Sequence, residues 1–376
     1  MRHVFAIVSI LTAVSTGLAQ PVQRPLGATV ATFPLNALGS SLRELPDGRV
    51  LVVDSARRLL LLDSALRLVR VVAESPPGDL LVSPSQGMLI PYGRSGSLYL
   101  DGVRPEFAFV SDSGFAGQPQ PLPRPGDVRN LWGRDGGIPG SDSAGNIVYA
   151  VNLLIPEQRV TWETVGDTAF LIAVNPSKAF TGNPATRGAT PIVGVVERRL
   201  TTPDVRLRPV VPNDVWAIVD DAVVVFRASD FSVEKWTTDG RLIGHAMLPY
   251  KKIVLSETEK VRIVDSARTA QRRTMGQHAW PILVTSIVEP REVPDFLPPF
   301  LRNSAVAAAD GAVWLIENLR YGIGDDHIAS IVNVTNEFGT VRGRVLIPSG
   351  MAILGIGNGV VYLWRPYGEL RKVRIR

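Results

Sequence analysis

Between Leu42 and Val72 the chain reads LRELPDGRVLVVDSARRLLLLDSALRLVRVV, and short apolar runs alternate there with turn chemistry. Val50 to Val53 and Leu59 to Leu62 are unbroken. Leu66, Leu68, Val69, Val71 and Val72 make a further run that Arg67 and Arg70 interrupt. Pro46-Asp47-Gly48, Asp54-Ser55-Ala56-Arg57 and Asp63-Ser64 separate the runs. In such turns Pro presets φ, Asp bonds back to the backbone and Gly accepts φ > 0. A helix of this length needs an apolar stripe of period 3.6, whereas runs of strand length bounded by turn residues argue for strands. Unbroken rather than alternating runs mean that both faces of the sheet are covered. The stretch predicts one four-stranded antiparallel sheet packed between neighbours, with Leu42 to Leu45 as its first strand.

The rest of the chain repeats this unit more loosely. A second unit runs through Leu80–Val82, Met88–Ile90, Leu98–Leu100 and Phe107–Val110, and residues 111–137, rich in Pro and Gly, form a long connection. A third takes Ile147–Leu154, Phe170–Val174 and Ile192–Val196. A fourth takes Val215–Val219, Val223–Phe226, Phe231–Trp236 and Leu242–Leu248. An interruption at about 250–302 follows. Ser256 and Glu259 have capping-box spacing, SETEKVRIVDSARTAQRR continues as a polar helix, and Pro290, Pro294, Pro298 and Pro299 close the segment. A fifth unit uses Ala305–Ala309, Val313–Ile316, Ile328–Val334 and Val341–Ile347. The last has only three strands, Met351–Ile356, Val360–Trp364 and Leu370–Ile375. Ala28 to Phe33 has strand composition and no local partner, so it supplies the missing outer strand. The prediction is an all-β six-bladed β-propeller, closed by this N-terminal strand so that no sheet edge is left at the seam, with one helical insertion between blades four and five.

The 376 residues, 45% hydrophobic and 20% charged, suffice for one large all-β domain. There is no cysteine, which excludes disulfides and thiolate metal sites. The net charge is +5, but the basic residues are scattered and no Lys/Arg block interleaves with aromatics, so a nucleic-acid partner is not expected. Met1-Arg2-His3 is a short positive segment. Val4 to Val14 is apolar but too short to span a bilayer, and Gly17-Leu18-Ala19 offers small residues at −3 and −1. This layout predicts a signal peptide over 1–19 and a mature domain over 20–376. That domain has no membrane span and is placed in the periplasm or outside the cell.

ELPDGRVLVVD, the stretch NDVWAIVDDAVVVFRASDFSVEKWTTDGRLIGHAMLPY, and FLPPF followed by ADGAVWLIE resemble bacterial exported six-bladed β-propeller proteins of the NHL/TolB-like superfamily. The likeness covers most of Ala28 to Arg376, including the helical interruption. The resemblance implies the fold and little chemistry, because members of that group are largely uncharacterised. The broader superfamily includes scaffolds and also calcium-dependent lactonases similar to gluconolactonase and paraoxonase, so calcium is the cofactor to consider.

No G-x-S-x-G elbow is present, and His245, His278 and His327 are scattered, which argues against a nucleophile and a zinc site. Gly355 to Gly359 lacks the helix and Lys of a phosphate loop and reads as a turn. Trp216, Trp314 and Trp364 read as blade packing. Aligning the units on Asp47, Gln86, Ala144, Asp220, Asp310 and Asn358 places Ser40, Asp79, Gly137, Asn213, Asn303 and Met351 seven residues earlier, at one mouth of the ring. Asn213, Asp214 and Asn303 match in type part of the Glu, Asn and Asp set that the resemblance to lactonases implies. The Glu is missing, so neither a metal site nor a catalytic residue is assigned. Residues 111–137, 249–302 and Leu319 to His327 all open on that mouth, and connections beyond about 12–15 residues are uncommon unless functional or disordered. The predicted ligand-binding residues are Trp132, Asn213, Asp214, Asn303 and His327, walled by the helix that begins at Ser256. Two functions follow: an exported scaffold binding a protein, peptide or glycan of the cell envelope, or a calcium-dependent lactonase-like hydrolase.

Overall fold

The computed structural model describes residues 23–35, 42–54, 56, 58–73, 88–92, 96–100, 106–111, 114–121, 137–151, 168–174, 192–201, 214–277, 289–317, 327–365 and 368–375. The predicted signal peptide and its cleavage site lie outside them. The first strands are β1 (Gln23–Pro25), β2 (Thr29–Leu35), β3 (Leu42–Glu44), β4 (Val50–Val53), β5 (Leu59–Leu62) and β6 (Leu68–Ala73). Next come β7 (Met88–Tyr92), β8 (Gly96–Leu100), β9 (Glu106–Ser111), β10 (Gly114–Pro121), β11 (Gly140–Ser141), β12 (Ile147–Val151), β13 (Thr168–Val174) and β14 (Ile192–Thr201). Then follow β15 (Val215–Val219), β16 (Ala222–Phe226), β17 (Ser232–Thr237), β18 (Leu242–Met247), β19 (Ile253–Val254), the helix α1 (Glu257–Gln277) and β20 (Phe296–Leu297). The chain ends through β21 (Phe300–Ala307), β22 (Ala312–Glu317), β23 (His327–Asn333), β24 (Val341–Ile347), β25 (Ala352–Gly357), β26 (Val360–Trp364) and β27 (Gly368–Arg374).

Consecutive strands pair antiparallel into the sheets β3–β6, β7–β10, β11–β14, β15–β18, β21–β24 and β25–β27; β19 pairs with β20. The first strands meet one another in turn: β3 with β7, β7 with β11, β11 with β15, β15 with β21, β21 with β25, and β25 with β3 again. The arrangement is that of a β-propeller. Its core lies between the sheets, which is why whole strands are apolar. Every residue of β4, β5, β16 and β26 is buried. In β4, Val50 and Val52 pack with Tyr362, Trp364 and Leu370 of the last sheet, while Leu51 and Val53 pack with Leu89, Tyr99 and Val110 of the second. Trp216 and Trp314 are fully buried in comparable layers, as the sequence predicts.

One tight hairpin recurs. In the segments starting at Leu45, Asp63, Asp142, Thr237 and Ala308, the first residue receives an N–H from the residue three on and donates its own N–H to the carbonyl four on. The third residue on has positive φ in each case, Gly48, Leu66, Gly145, Gly240 and Gly311, the geometry of a type I turn closed by a left-handed residue. An Asp at the first position clips the loop: Asp63 accepts from the Arg67 N–H at 2.9 Å and from Arg67 Nε at 2.7 Å. Asp142 accepts likewise from the Asn146 N–H and Nδ2. Asp54 grips Arg58 in the same way.

The predicted closing strand is present. β2 pairs antiparallel with β27, from Thr29 opposite Val373 to Leu35 opposite Gly368. Leu35 is fully buried in the layer between the first and last sheets. The residues just before β2 add a strand that the sequence reading does not contain: β1 pairs in parallel with β24, so one N-terminal segment covers two successive outer edges. The second unit is corrected by one strand. Its sheet starts at β7, not at Leu80–Val82, which lie outside the described residues, and its outer strand is β10, read from sequence as connection. Gly114 to Pro121, GFAGQPQP, looks like loop because of its Gly and Pro content, yet an edge strand tolerates Pro, whose missing N–H would face solvent. Gln86 and Asp79, used in the alignment of the second unit, precede β7 and lie outside the described residues.

Candidate functional site

The predicted binding face is the one where the connections between sheets, and those between second and third strands, emerge. Asp214 stands there at the start of β15 and is buried. Its carboxylate accepts from Arg227 Nη1 at 3.1 Å and from the Ala228 N–H at 3.0 Å. Arg227 also donates to Glu234 Oε2, from Nε at 3.1 Å and Nη2 at 2.8 Å, and Trp236 Nε1 reaches the same oxygen at 3.0 Å. One guanidinium thus joins the first and third strands of this sheet through two carboxylates, with the strength that ionised partners add. In the next sheet Arg344 Nε lies 2.9 Å from Glu317, which also accepts the Ser330 hydroxyl. The Tyr250 hydroxyl is buried beside this group. Burial first, and then the Glu317 charge, raise its pKa, so it stays protonated.

β15 and β21 are neighbours, so Asp214 and Asn303, the latter in the irregular stretch of β21 between Phe300 and Ala305, belong to adjacent first strands. His327 opens β23 opposite Ile347 and is half-buried. Trp132 and Asn213 lie outside the described residues. Sequence reasoning missed Arg227 and Glu234, since nothing local says that an Arg after β16 will reach back to Asp214.

The insertion stands on the same face. Ser256 and Glu259 form the predicted capping box: the Ser256 N–H donates to Glu259 Oε2 at 2.8 Å, and the Glu259 N–H to Ser256 Oγ at 3.3 Å. Leu255, Ile263, Val264, Val293 and Leu297 make a small core of its own. Lys260 ties α1 to Asp295 at 2.8 Å, and that hydrogen bond holds the Asp295 carboxyl below the usual range. Phe296 of β20 meets Phe231, in the turn between β16 and β17, edge-on at 5.9 Å. Lys252 Nζ lies 4.5 Å from the Phe296 ring centre. Phe231 has φ +61, a left-handed conformation that a bulky side chain adopts only where its surroundings impose it.

A second feature lies on the ring axis. A cavity of about 210 Å³ is lined by β3, β7, β11, β15, β21 and β25 or the residues leading into them, with Leu42, Leu89, Ile138, Ile218, Val306 and Ile356 among its apolar side chains. Its wall lies near the far ends of these strands: Ser141 is one residue before the Asp142 turn, Ala307 one before the Ala308 turn, and Glu44 one before the Leu45 turn. Neither Asp214 nor His327 lines it. Arg43 and Glu44 are its two charged lining residues. Arg43 Nη1 donates to the Gly96 carbonyl and to Ser97 Oγ, and burial lowers its pKa to about 10. Glu44 turns the other way, toward the last sheet, into the space that Gly357 leaves by having no side chain.

Among the described residues no three His, Asp or Glu side chains converge as a cation site would require, and no helix is long and apolar enough to cross a membrane. No protein-family model matches the chain, and no curated protein matches it in sequence. Solved structures do match, and they are bacterial β-propeller proteins. A member of the DUF4221 family from Bacteroides vulgatus is 8% identical with a TM-score of 0.51, over 94% of this chain and 98% of that one. A Bacteroides fragilis protein described as exported is 9% identical with a TM-score of 0.48, over 94% and 98%. A virginiamycin B lyase from Staphylococcus aureus is 10% identical with a TM-score of 0.41, over 92% and 99%. At these identities the likeness speaks to the fold alone.

Proposed function

We propose that this chain is an exported six-bladed β-propeller that binds a protein, peptide or glycan of the cell envelope through the face carrying the insertion. The observation that carries this reading is the insertion itself. It is a separately cored helical unit, mounted on the β16–β17 turn through Phe231 and Phe296, where a short connection would suffice to join β18 to β21. The hydrolase reading needs free carboxylate oxygens at this mouth for a calcium ion. Asp214, Glu234 and Glu317 are instead engaged by Arg227 and Arg344, and the calcium-dependent lactonase stays the second reading. Substituting Asp214 removes a buried ion-pair partner and so reports on the fold rather than on a ligand.

The test uses the pairing of β19 with β20. Because Leu255 and Asp295 are hydrogen-bonded at 2.9 Å, residues 256–294 can be replaced by an Asn-Gly turn. The excised chain is expected to melt within about 5 °C of the intact one and to lose the species that the intact chain captures from an envelope extract. Capture of the same species by the excised chain overturns the proposal, and a rise in melting temperature on adding calcium favours the hydrolase.

A further inference from the structure

We propose that the outer edge of β18 pairs with the same edge of a second copy of this chain, antiparallel and about a two-fold axis at His245. This surface lies on the rim of the ring, apart from the insertion face. A sheet edge invites pairing unless it is covered or carries Pro or charge. The other outer strands have such protection. β24 and β27 are covered by β1 and β2, which themselves contain Pro25 and Pro34. β10 contains Pro119 and Pro121, β14 contains Glu197, Arg198 and Arg199, and β6 contains Arg70. β18 reads LIGHAM, with neither Pro nor Lys, Arg, Asp or Glu, and among the described residues no strand lies beyond it. It also exposes Leu242 at 46%, Ile243 at 50% and Met247 at 62%, three of the eight large apolar side chains exposed among the described residues.

The backbone fixes what this edge offers. The Leu248 N–H is directed inward, to the Phe231 carbonyl at 2.7 Å. Alternation along an antiparallel strand then turns the N–H and C=O groups of Ala246 and Gly244 inward and leaves those of Met247 and His245 facing out. The side chains sort in step with this. Gly244 and Ala246 face Phe338 and Gly339 of the neighbouring sheet. His245 and Met247 face the other way, and Ile243 sits in the β-bulge near the start of the strand. A two-fold antiparallel pairing centred on His245 sets Ile243 opposite Met247 of the second copy, and Met247 opposite its Ile243, so both exposed side chains gain apolar partners. Gly244 and Ala246 then pair as small residues, and Leu242 meets Leu248. The charges agree with this register. Arg241 meets Pro249, and the exposed Asp239 of each copy comes toward the exposed Lys251 of the other.

The experiment is sedimentation equilibrium of the full mature chain over a concentration series, with two double variants that differ in the sign of one charge. The wild-type chain is expected to form a reversible dimer. Ile243→Lys/Met247→Lys sets cation opposite cation at both symmetry-related pairs and should weaken the dimer about tenfold or more. Ile243→Lys/Met247→Glu sets cation opposite anion at the same pairs and should keep it. Both variants should retain the far-ultraviolet circular dichroism of the wild type, since the substituted side chains are exposed. Leu68→Lys/Val69→Lys, on β6, should leave the dimer unchanged. A monomeric wild-type chain overturns the proposal and leaves the edge to a strand of another protein. Equal dimerisation of the two double variants, or its equal loss in both, overturns it as well.

Discussion

At the scale of single residues, the ring is held in register by Asp clips and by missing side chains. Asp47 and Asp63 accept backbone N–H groups from Arg49 and Arg67, and those bonds, aided by the Arg side chains, hold both carboxyls below the usual range. A folded-state pKa below the unfolded value means stabilisation that is present above about pH 4 and lost as pH falls through the folded value. The difference in urea midpoint between wild type and Asp47→Asn/Asp63→Asn should therefore be constant above pH 5 and close on going to pH 3. A difference independent of pH would show that the charges are idle. Gly137 illustrates the second device. It bridges Trp216 so closely that a Cβ would lie 2.2 Å from the Trp216 carbonyl oxygen. Gly137→Ala should cost about 1–3 kcal/mol in chemical denaturation, the range for forced overpacking. The Asp and Gly turns can be read from the sequence because their chemistry is local. Gly137 could be aligned but not explained, since what it avoids is 79 residues away in the chain.

At the scale of elements, the sequence is most legible where strands are unbroken and buried. The β3–β6 and β15–β18 sheets match their predicted strands to within a residue or two, because continuous apolar runs and Asp-Gly turns leave one arrangement. The helix start is equally local, a capping box written as Ser256 and Glu259. Outer strands are less legible. Six of the eight residues of β10 are Gly, Pro or Gln, and β1 is three residues long and pairs in parallel with a segment more than 300 residues on. An edge strand needs only one hydrogen-bonded side and little apolar surface, so its composition says little. The N-terminal segment tests this level. β1 and β2 together cover the edges of β24 and β27, with Leu26 packing between the last two sheets and Leu35 between the last and the first. Removing residues 20–35 takes away two ladders and the burial of Leu26, Phe33 and Leu35. The truncated chain should lose several kcal/mol of stability, at roughly 1.5–3 kcal/mol per fully buried large side chain. Melting within a few degrees of the full mature chain would show that the segment is dispensable.

At the scale of the whole molecule, the two ends of the ring differ in kind. One end carries the tight hairpins that start at Leu45, Asp63, Asp142, Thr237 and Ala308 and the axial cavity; the other carries the insertion, Phe231 in its left-handed conformation, and the networks around Arg227 and Arg344. Of the five residues predicted to bind a ligand, Asp214 proves to be a structural partner of Arg227, and His327 and Asn303 begin or line strands at the insertion end. Sequence could not separate these roles, because an Asp that binds an ion and an Asp that clamps an Arg look alike until the Arg is placed. The absence of cysteine makes the decisive comparison clean, since any introduced thiol is unique. A photo-crosslinker attached to Thr269→Cys, on the exposed surface of α1, reports on the insertion face. The same probe on Asn358→Cys, in the exposed turn after β25, reports on the hairpin face. Both mature chains would be irradiated in an envelope extract with and without excess unlabelled wild-type chain. The account predicts a defined adduct from the Thr269 position that the wild-type chain competes away, and no competed adduct from Asn358. A competed adduct only from Asn358, or none from either face, would contradict it.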